Sequence, residues 1–313
     1  MAIGLGTAAL GRPQYINVRL EPSEMNLKSF RAQSFSVLER AYELGVRYFD
    51  TAPGYGLAEN LLLEWLNTKN DSSIQIATKW GYTYVANFNS NAKVHEIKEH
   101  SLEKLNEQWQ ISRAFLPNLK VYQIHSATLE TGVLENRAIL ERMAFLKNEH
   151  QIEIGITVTG ENQTEVIKKA LDVSVNQEQL FDAFQVTYNI LDQSLNAISK
   201  ELIGQNKRII IKEALANGRL FRNTSYDHYL KLYNVLEELA KNHNVGVDVI
   251  ALKFCEQTIA KNMVLSGASN IVHLESNLKA NTAVLSEDDI AMLKNFKIDT
   301  TKYWQERKQL IWN

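Results

Sequence analysis

Cysteine is almost missing: Cys255 is the only one in 313 residues. No disulfide can close within the chain, and no set of thiolates can hold a metal. Neither an HxH nor an HExxH pair supplies an imidazole alternative, so no metal is expected. No run approaches the roughly 18 apolar residues that cross a bilayer. The opening MAIGLGTAALGRP lacks a basic n-region and a long apolar core, and Arg12 comes too soon for a secretory leader. A cytoplasmic, reducing compartment is the expectation. Charge of one sign is missing too, since 34 basic and 36 acidic side chains leave a formal −2. No pull toward nucleic acid or an anionic membrane follows. No Pro-, Gly- or Ser-rich linker divides the chain, so a single domain over 1–313 is expected.

What is present is an ordinary globular composition, 45% hydrophobic and 22% charged. The stretch VRYFDTAPGYG (46–56) reads as a strand that ends in Asp50 and turns through proline and glycines into a loop carrying Tyr55. The same alternation runs along the whole chain. Strands are expected at 3–11, 46–50, 73–78, 119–124, 152–156, 181–186, 208–211 and 262–265. Amphipathic helices are expected at 27–44, 58–66, 91–109, 132–146, 161–171, 195–203, 229–241, 247–257, 272–283 and 287–295. Residues 12–26 read as polar loop. Eight short β-branched strands, each followed by helix, predict an α/β (β/α)8 TIM barrel with an additional C-terminal helix and tail. A doubly wound sheet is disfavoured because GLGTAALG lacks the GxGxxG spacing. The tail, 297–313, carries Tyr303, Trp304 and Trp312. It is expected to pack on or near the barrel mouth, unless it meets a partner.

In such a barrel the active site sits at the C-terminal strand ends. Asp50, Lys79 and His125 stand at the ends of the second, third and fourth strands, with Tyr55 just beyond the second. An ammonium close to a phenol lowers its pKa, and a buried carboxylate keeps the lysine charged. His125 could orient a carbonyl oxygen. The group suits proton delivery to a carbonyl, and the hydride must then come from a nicotinamide or flavin. A plain alternative is an Asp50–Lys79 ion pair at the barrel rim.

Taken together, GLGT, FDTAPGYGLAE, TKWG, YQIH, FQVTYN, LANGRL and LSGASN…LESNL, in that order, resemble the aldo-keto reductase family across nearly the whole chain. The resemblance implies Asp50, Tyr55, Lys79 and His125 as a catalytic tetrad, with Tyr55 as general acid. It implies an extended nicotinamide dinucleotide held by Gly6, Thr7, Asp50, Thr157, Gln185, Lys212, Leu215, Gly218, Ser266, Gly267, Ser269, Asn270, His273 and Asn277. Gly6 and Thr7 would lie under the nicotinamide ribose, Gln185 would hold the carboxamide and Asn277 the adenine. Where the family has Ser-Asn after the fifth strand this chain has Thr157-Val158. Where the family has an aromatic, Ser and Pro after the seventh, it has Lys212-Glu213-Ala214. NADP(H) is favoured over NAD(H), although the late segment offers Ser266, Ser269, Asn270 and His273 in place of a permanent cation. Trp80, Tyr82 and Trp304 are the expected substrate contacts. The implied partner is a small carbonyl or alcohol, with the protein a monomer or homo-oligomer. An isomerase, epimerase or eliminating enzyme on the same scaffold, or a cofactor-sensing subunit, is the alternative.

Overall fold

In the computed structural model, which describes residues 2–12, 26–89 and 92–311, all eight expected strands form. They are β1 (Ile3–Gly6), β2 (Tyr48–Asp50), β3 (Gln75–Trp80), β4 (Leu119–Ala127), β5 (Glu153–Val158), β6 (Ala183–Thr187), β7 (Arg208–Lys212) and β8 (Asn262–Ser266). Every neighbour is parallel, and β1 pairs with both β2 and β8, so the sheet closes on itself. Helices cover its outside, as parallel strands require when both faces must be buried.

Period-two alternation divides the strands into two sets. Outward-facing Phe49, Ile76, Ile124, Ile156, Phe184, Ile209 and Val264 join the helices in the main apolar core. Inward, Tyr48, Ala77, Val121, Ala183, Ile210 and Leu265 form a separate apolar layer at the barrel's lower end. Two residues further along β2, β3, β4, β6 and β7, the inward positions turn polar: Asp50, Lys79, Gln123, Gln185 and Lys212. The barrel is thus greasy below and ionic at its mouth. Gly155 makes room for this upper layer, because a Cβ there would lie 2.7 Å from Gln123 Cγ.

Helix boundaries follow local chemistry. The helix Leu27–Glu43 stops where Gly45 (φ +89°) turns left-handed. Val46 N–H then bonds Ala41 O at 2.9 Å and Gly45 N–H bonds Tyr42 O at 3.0 Å, a Schellman closure. One expected helix is shorter than its apolar spacing suggested. Instead of 91–109 it spans Leu102–Ser112, with Ser101 accepting from Lys104 N–H at 3.1 Å. Glu96–Lys98 instead pairs antiparallel with Tyr82–Tyr84, and Val94 and Ile97, counted as helix apolars, are exposed. The hairpin Ser174–Val175 with Glu178–Gln179 was also unforeseen. After residue 297 the helix Thr300–Lys308 packs on the barrel through buried Tyr303 and Trp304. Trp312, most of the 12–26 loop and the start of the expected 91–109 helix lie outside the described residues. No described helix is long and apolar enough to cross a membrane.

Candidate active site

Asp50 ends β2, and its carboxylate is the hub of the polar layer. Lys79 Nζ donates to Oδ1 at 2.5 Å, while Gln185 Nε2 and Gln123 Nε2 donate to Oδ2 at 2.7 and 3.3 Å. Lys79 also donates to Thr51 O at 3.0 Å. Both charged groups are buried, so the pair is shielded from water and held by its hydrogen bonds. Gln123 had gone unnoticed in the sequence, though it stands two residues before His125 on the same strand face.

Tyr55 is carried by the 3-10 turn Pro53–Tyr55, which Gly56 leaves at φ +64°. The turn is pinned from two sides. Leu57 N–H donates to Gly11 O at 2.8 Å, and Arg12 Nη1 bridges Gly54 O (2.8 Å) and Glu96 Oε2 (2.9 Å). Gly11 cannot be larger, because a Cβ would sit 1.8 Å from Tyr55 O. Lys79 Nζ lies 4.8 Å from the Tyr55 ring centroid. The His125 ring meets Tyr55 edge-on at 5.5 Å and lies 4.6 Å from Tyr82.

The electrostatics correct one expectation. Burial and the Asp50 charge push the Tyr55 hydroxyl well above its ordinary pKa, rather than the ammonium drawing it down. Loss of water around the buried phenol is the larger cause, and the nearby Asp50 carboxylate adds to it. Burial, with the Lys79, Arg12 and Lys212 charges, pushes His125 well below its usual range. At neutral pH the mouth therefore presents a protonated phenol beside a neutral imidazole. A phenol and a neutral imidazole each have one proton to donate.

From this point a cavity of about 600 Å³ runs outward between the ends of β7 and β8. Gly6, Asp50, Tyr55, Gln185 and Lys212 line its inner end, and Leu215 and Gly218 lie along it. Ser266, Gly267, Ser269, His273 and Asn277 line the outer end, together with Asp248, which the sequence reading overlooked. Asn277 links two of these, with Nδ2 donating to Asp248 Oδ2 (2.7 Å) and Oδ1 accepting from Ser266 Oγ (2.8 Å). Asn270 caps the helix Ile271–Leu278, its Oδ1 accepting from His273 N–H at 2.8 Å.

Several expected site residues are placed elsewhere. The Thr7 hydroxyl donates to Asp50 O at 3.0 Å and is buried. The Thr157 hydroxyl accepts from Ser126 N–H at 2.7 Å, where β4 bulges and Ser126 turns to φ +52°. Neither lines the cavity. Trp80 follows inward-facing Lys79, so it points out into the helix layer and is fully buried against His100. Trp304 is buried under the C-terminal helix, away from the cavity lining. Of the three expected substrate contacts, only Tyr82 lies beside His125.

The loop after β7 is fastened by that C-terminal helix. Lys212 Nζ donates to Thr187 Oγ1 at 2.8 Å and lies 4.0 Å from Glu213. Burial lowers its pKa to about 8 despite the attraction of Glu213. Glu213, at φ +56°, receives Arg307 through Nη2 (2.6 Å) and Nε (3.2 Å). Burial pushes Glu213 up, but Arg307 and Lys212 outweigh it and bring it to about 2. Arg219 Nη1 donates to Tyr303 O (3.1 Å) and pairs with Glu306 (3.3 Å) in the same helix.

With this geometry in place, comparison with known proteins is decisive at the level of family. The aldo/keto reductase family model matches residues 2–298. The chain belongs to the aldo/keto reductase family. Among curated members it is 25% identical to the uncharacterized oxidoreductase YqkF of Bacillus subtilis, over 87% of this chain and 90% of that protein. It is also 40% identical to pyridoxal 4-dehydrogenase of Microbacterium luteolum, over only 26% of this chain and 20% of that one. The holo form of an aldo-keto reductase from Bacillus halodurans superposes with TM-score 0.70 at 20% identity, covering 94% of this chain and 91% of the other. Glycerol dehydrogenase of Gluconobacter oxydans gives 0.71 at 17%, covering 94% and 90%. At these identities the solved structures speak for the fold. Membership makes the protein an enzyme of the aldo/keto reductase type, a hydride-transferring oxidoreductase in a family that generally uses a nicotinamide dinucleotide.

Proposed function

We propose that this aldo/keto reductase interconverts a carbonyl and an alcohol at the inner end of the cavity, with Tyr55 as the general acid or base. The observation that carries this reading is the convergence of four side chains, three from separate strands and Tyr55 from the turn after β2. Tyr55 and Asp50 line the inner end of the cavity of about 600 Å³, with Lys79 paired to Asp50 behind it and the His125 ring 5.5 Å from that of Tyr55. The Tyr55 hydroxyl and the neutral His125 imidazole would both donate to the carbonyl oxygen. That orients it and draws charge toward it as the C=O bond opens. Tyr55 then gives its proton to that oxygen, and Lys79 stabilises the phenolate left behind. Nicotinamide, when bound, supplies the hydride.

The residues fit such a group. Gln185 donates to Asp50 through Nε2, so its Oε1 is the end offered to a carboxamide. No heavy atom lies within 4 Å of where a Gly267 Cβ would be, which leaves the backbone open to a long ligand. The outer end supports the unphosphorylated dinucleotide over the NADP(H) favoured by the sequence. Its described lining holds no Lys or Arg, and Asp248 adds a carboxylate where a 2′-phosphate would need cations. The test is Tyr55→Phe, with turnover followed by cofactor absorbance and binding by fluorescence. Turnover is expected to fall ~100-fold or more, the scale for a lost general acid, with cofactor affinity kept. Near-normal turnover would remove Tyr55 from the mechanism.

A further inference from the structure

Lys212 is the position at which the cavity's inner end is most unusual, and its charge has a direct consequence for the cofactor. The argument rests on the nicotinamide reading above. Hydride and proton arrive at adjacent atoms of one carbonyl, so the ring that gives the hydride must lie beside the Tyr55 hydroxyl. Besides Tyr55 itself, the polar wall there is made by Asp50, Gln185, Lys212 and Glu213, with Gly6 beside them. Gly6 and Gln185 are neutral, and Asp50 is neutralised by Lys79 at 2.5 Å. Among the described residues Lys212 has no such close counter-charge. Its nearest carboxylate, Glu213, is 4.0 Å away and already held by Arg307 at 2.6 Å, while its own hydrogen bond goes to the Thr187 hydroxyl.

A nicotinamide ring is a cation when oxidised and neutral when reduced. Two positive groups in a site shielded from water repel strongly, whereas an ammonium beside a neutral ring costs little. We propose that Lys212 makes this enzyme discriminate against the oxidised dinucleotide, weakening its binding while leaving the reduced form held. Spent cofactor is then released faster in the direction of carbonyl reduction, and the oxidised form saturates poorly in the direction of alcohol oxidation. Lys212 thus biases the working direction of the site.

The experiment measures dissociation constants for NAD+ and NADH, and for the phosphorylated pair, by calorimetry at pH 7. It uses the wild-type protein, Lys212→Met and Lys212→Arg. The ratio of oxidised to reduced constants should fall ~10-fold or more in the methionine variant, equivalent to about 1.4 kcal/mol, and persist in the arginine variant. An unchanged ratio in Lys212→Met, with both forms bound, overturns the inference and leaves the nicotinamide reading intact. Equal weakening of both forms also overturns it, since that is the mark of a phosphate contact. Failure of the reduced forms to bind the wild-type protein removes the nicotinamide reading and the inference with it. Should circular dichroism show the methionine variant unfolded, Lys212→Gln takes its place.

Discussion

Replacing Asp50 by Asn removes one charge and about one atom's worth of chemistry, yet it should be among the most damaging changes available to this protein. The Lys79 ammonium is fully buried 2.5 Å from the carboxylate, and its other acceptor is the uncharged Thr51 O at 3.0 Å. Two unit charges about 4 Å apart attract by ~4 kcal/mol at an effective dielectric of about 20. Breaking a buried pair while leaving one charge behind costs ~3–5 kcal/mol. The amide adds a second fault, because its NH2 would face the donors Gln185 Nε2 and Gln123 Nε2, which now give to Oδ2. A loss of about 3–5 kcal/mol in urea unfolding is expected for Asp50→Asn. Lys79→Met should also destabilise, whereas Asp50→Asn combined with Lys79→Met should lose about 3 kcal/mol less than the sum of the two single changes. Strict additivity, or an Asp50→Asn variant within about 0.5 kcal/mol of wild type, would refute the view that this pair is a shielded ionic hub.

Other outcomes follow from the same coordinates. Burial outweighs the hydrogen bonds from Thr78 and Ser112 and pushes Glu59 up to about 7. Its folded pKa thus exceeds its unfolded one, so its stability contribution is whole below about pH 4.5 and lost as pH rises through about 7. Glu59→Gln should therefore gain on the wild type across that window, by about 3 kcal/mol at pH 8 in a pH series of urea melts. Gly11→Ala would put a Cβ 1.8 Å from Tyr55 O and 2.6 Å from Ala58 N. Displacing the Tyr55 turn should cost ~3 kcal/mol or more and lower turnover ~100-fold, and a crystal structure with Tyr55 unmoved would contradict it. Ser269→Arg places a cation on the outer end of the cavity. It should raise NADPH affinity relative to NADH by ~10-fold in paired titrations.

The barrel was legible in the sequence because each strand is short, β-branched and followed by an amphipathic segment, a local pattern that needs no knowledge of partners. The inward set was legible for the same reason. Lys79 pointing into the barrel obliges Trp80 to point out, which period-two alternation states and the aromatic crowding after β3 obscured. The missed hairpin at Glu96–Lys98 is a different failure. Val94, Ile97, Leu102 and Leu105 happen to fall at helical spacing, but the backbone at 96–98 finds its hydrogen bonds on Tyr82–Tyr84, and Ser101 fixes the helix start. Tyr55 and Lys79 could be placed together from strand ends, but the direction in which the Tyr55 pKa moves could not. It is set first by how completely the phenol is buried and then by the Asp50 charge, and both need the packed structure.

The Glu213–Arg307 pair carries a consequence for synthesis. The carboxylate enters the growing chain 94 residues before the guanidinium that will hold it. Until residue 307 is free of the ribosome, the Glu213 carboxylate lacks its guanidinium, although Asn189 Nδ2 already donates to the Glu213 backbone oxygen at 3.0 Å. The outer staves of the barrel can assemble in order during translation, but the wall against which the cofactor would rest must wait for a latch made long afterward.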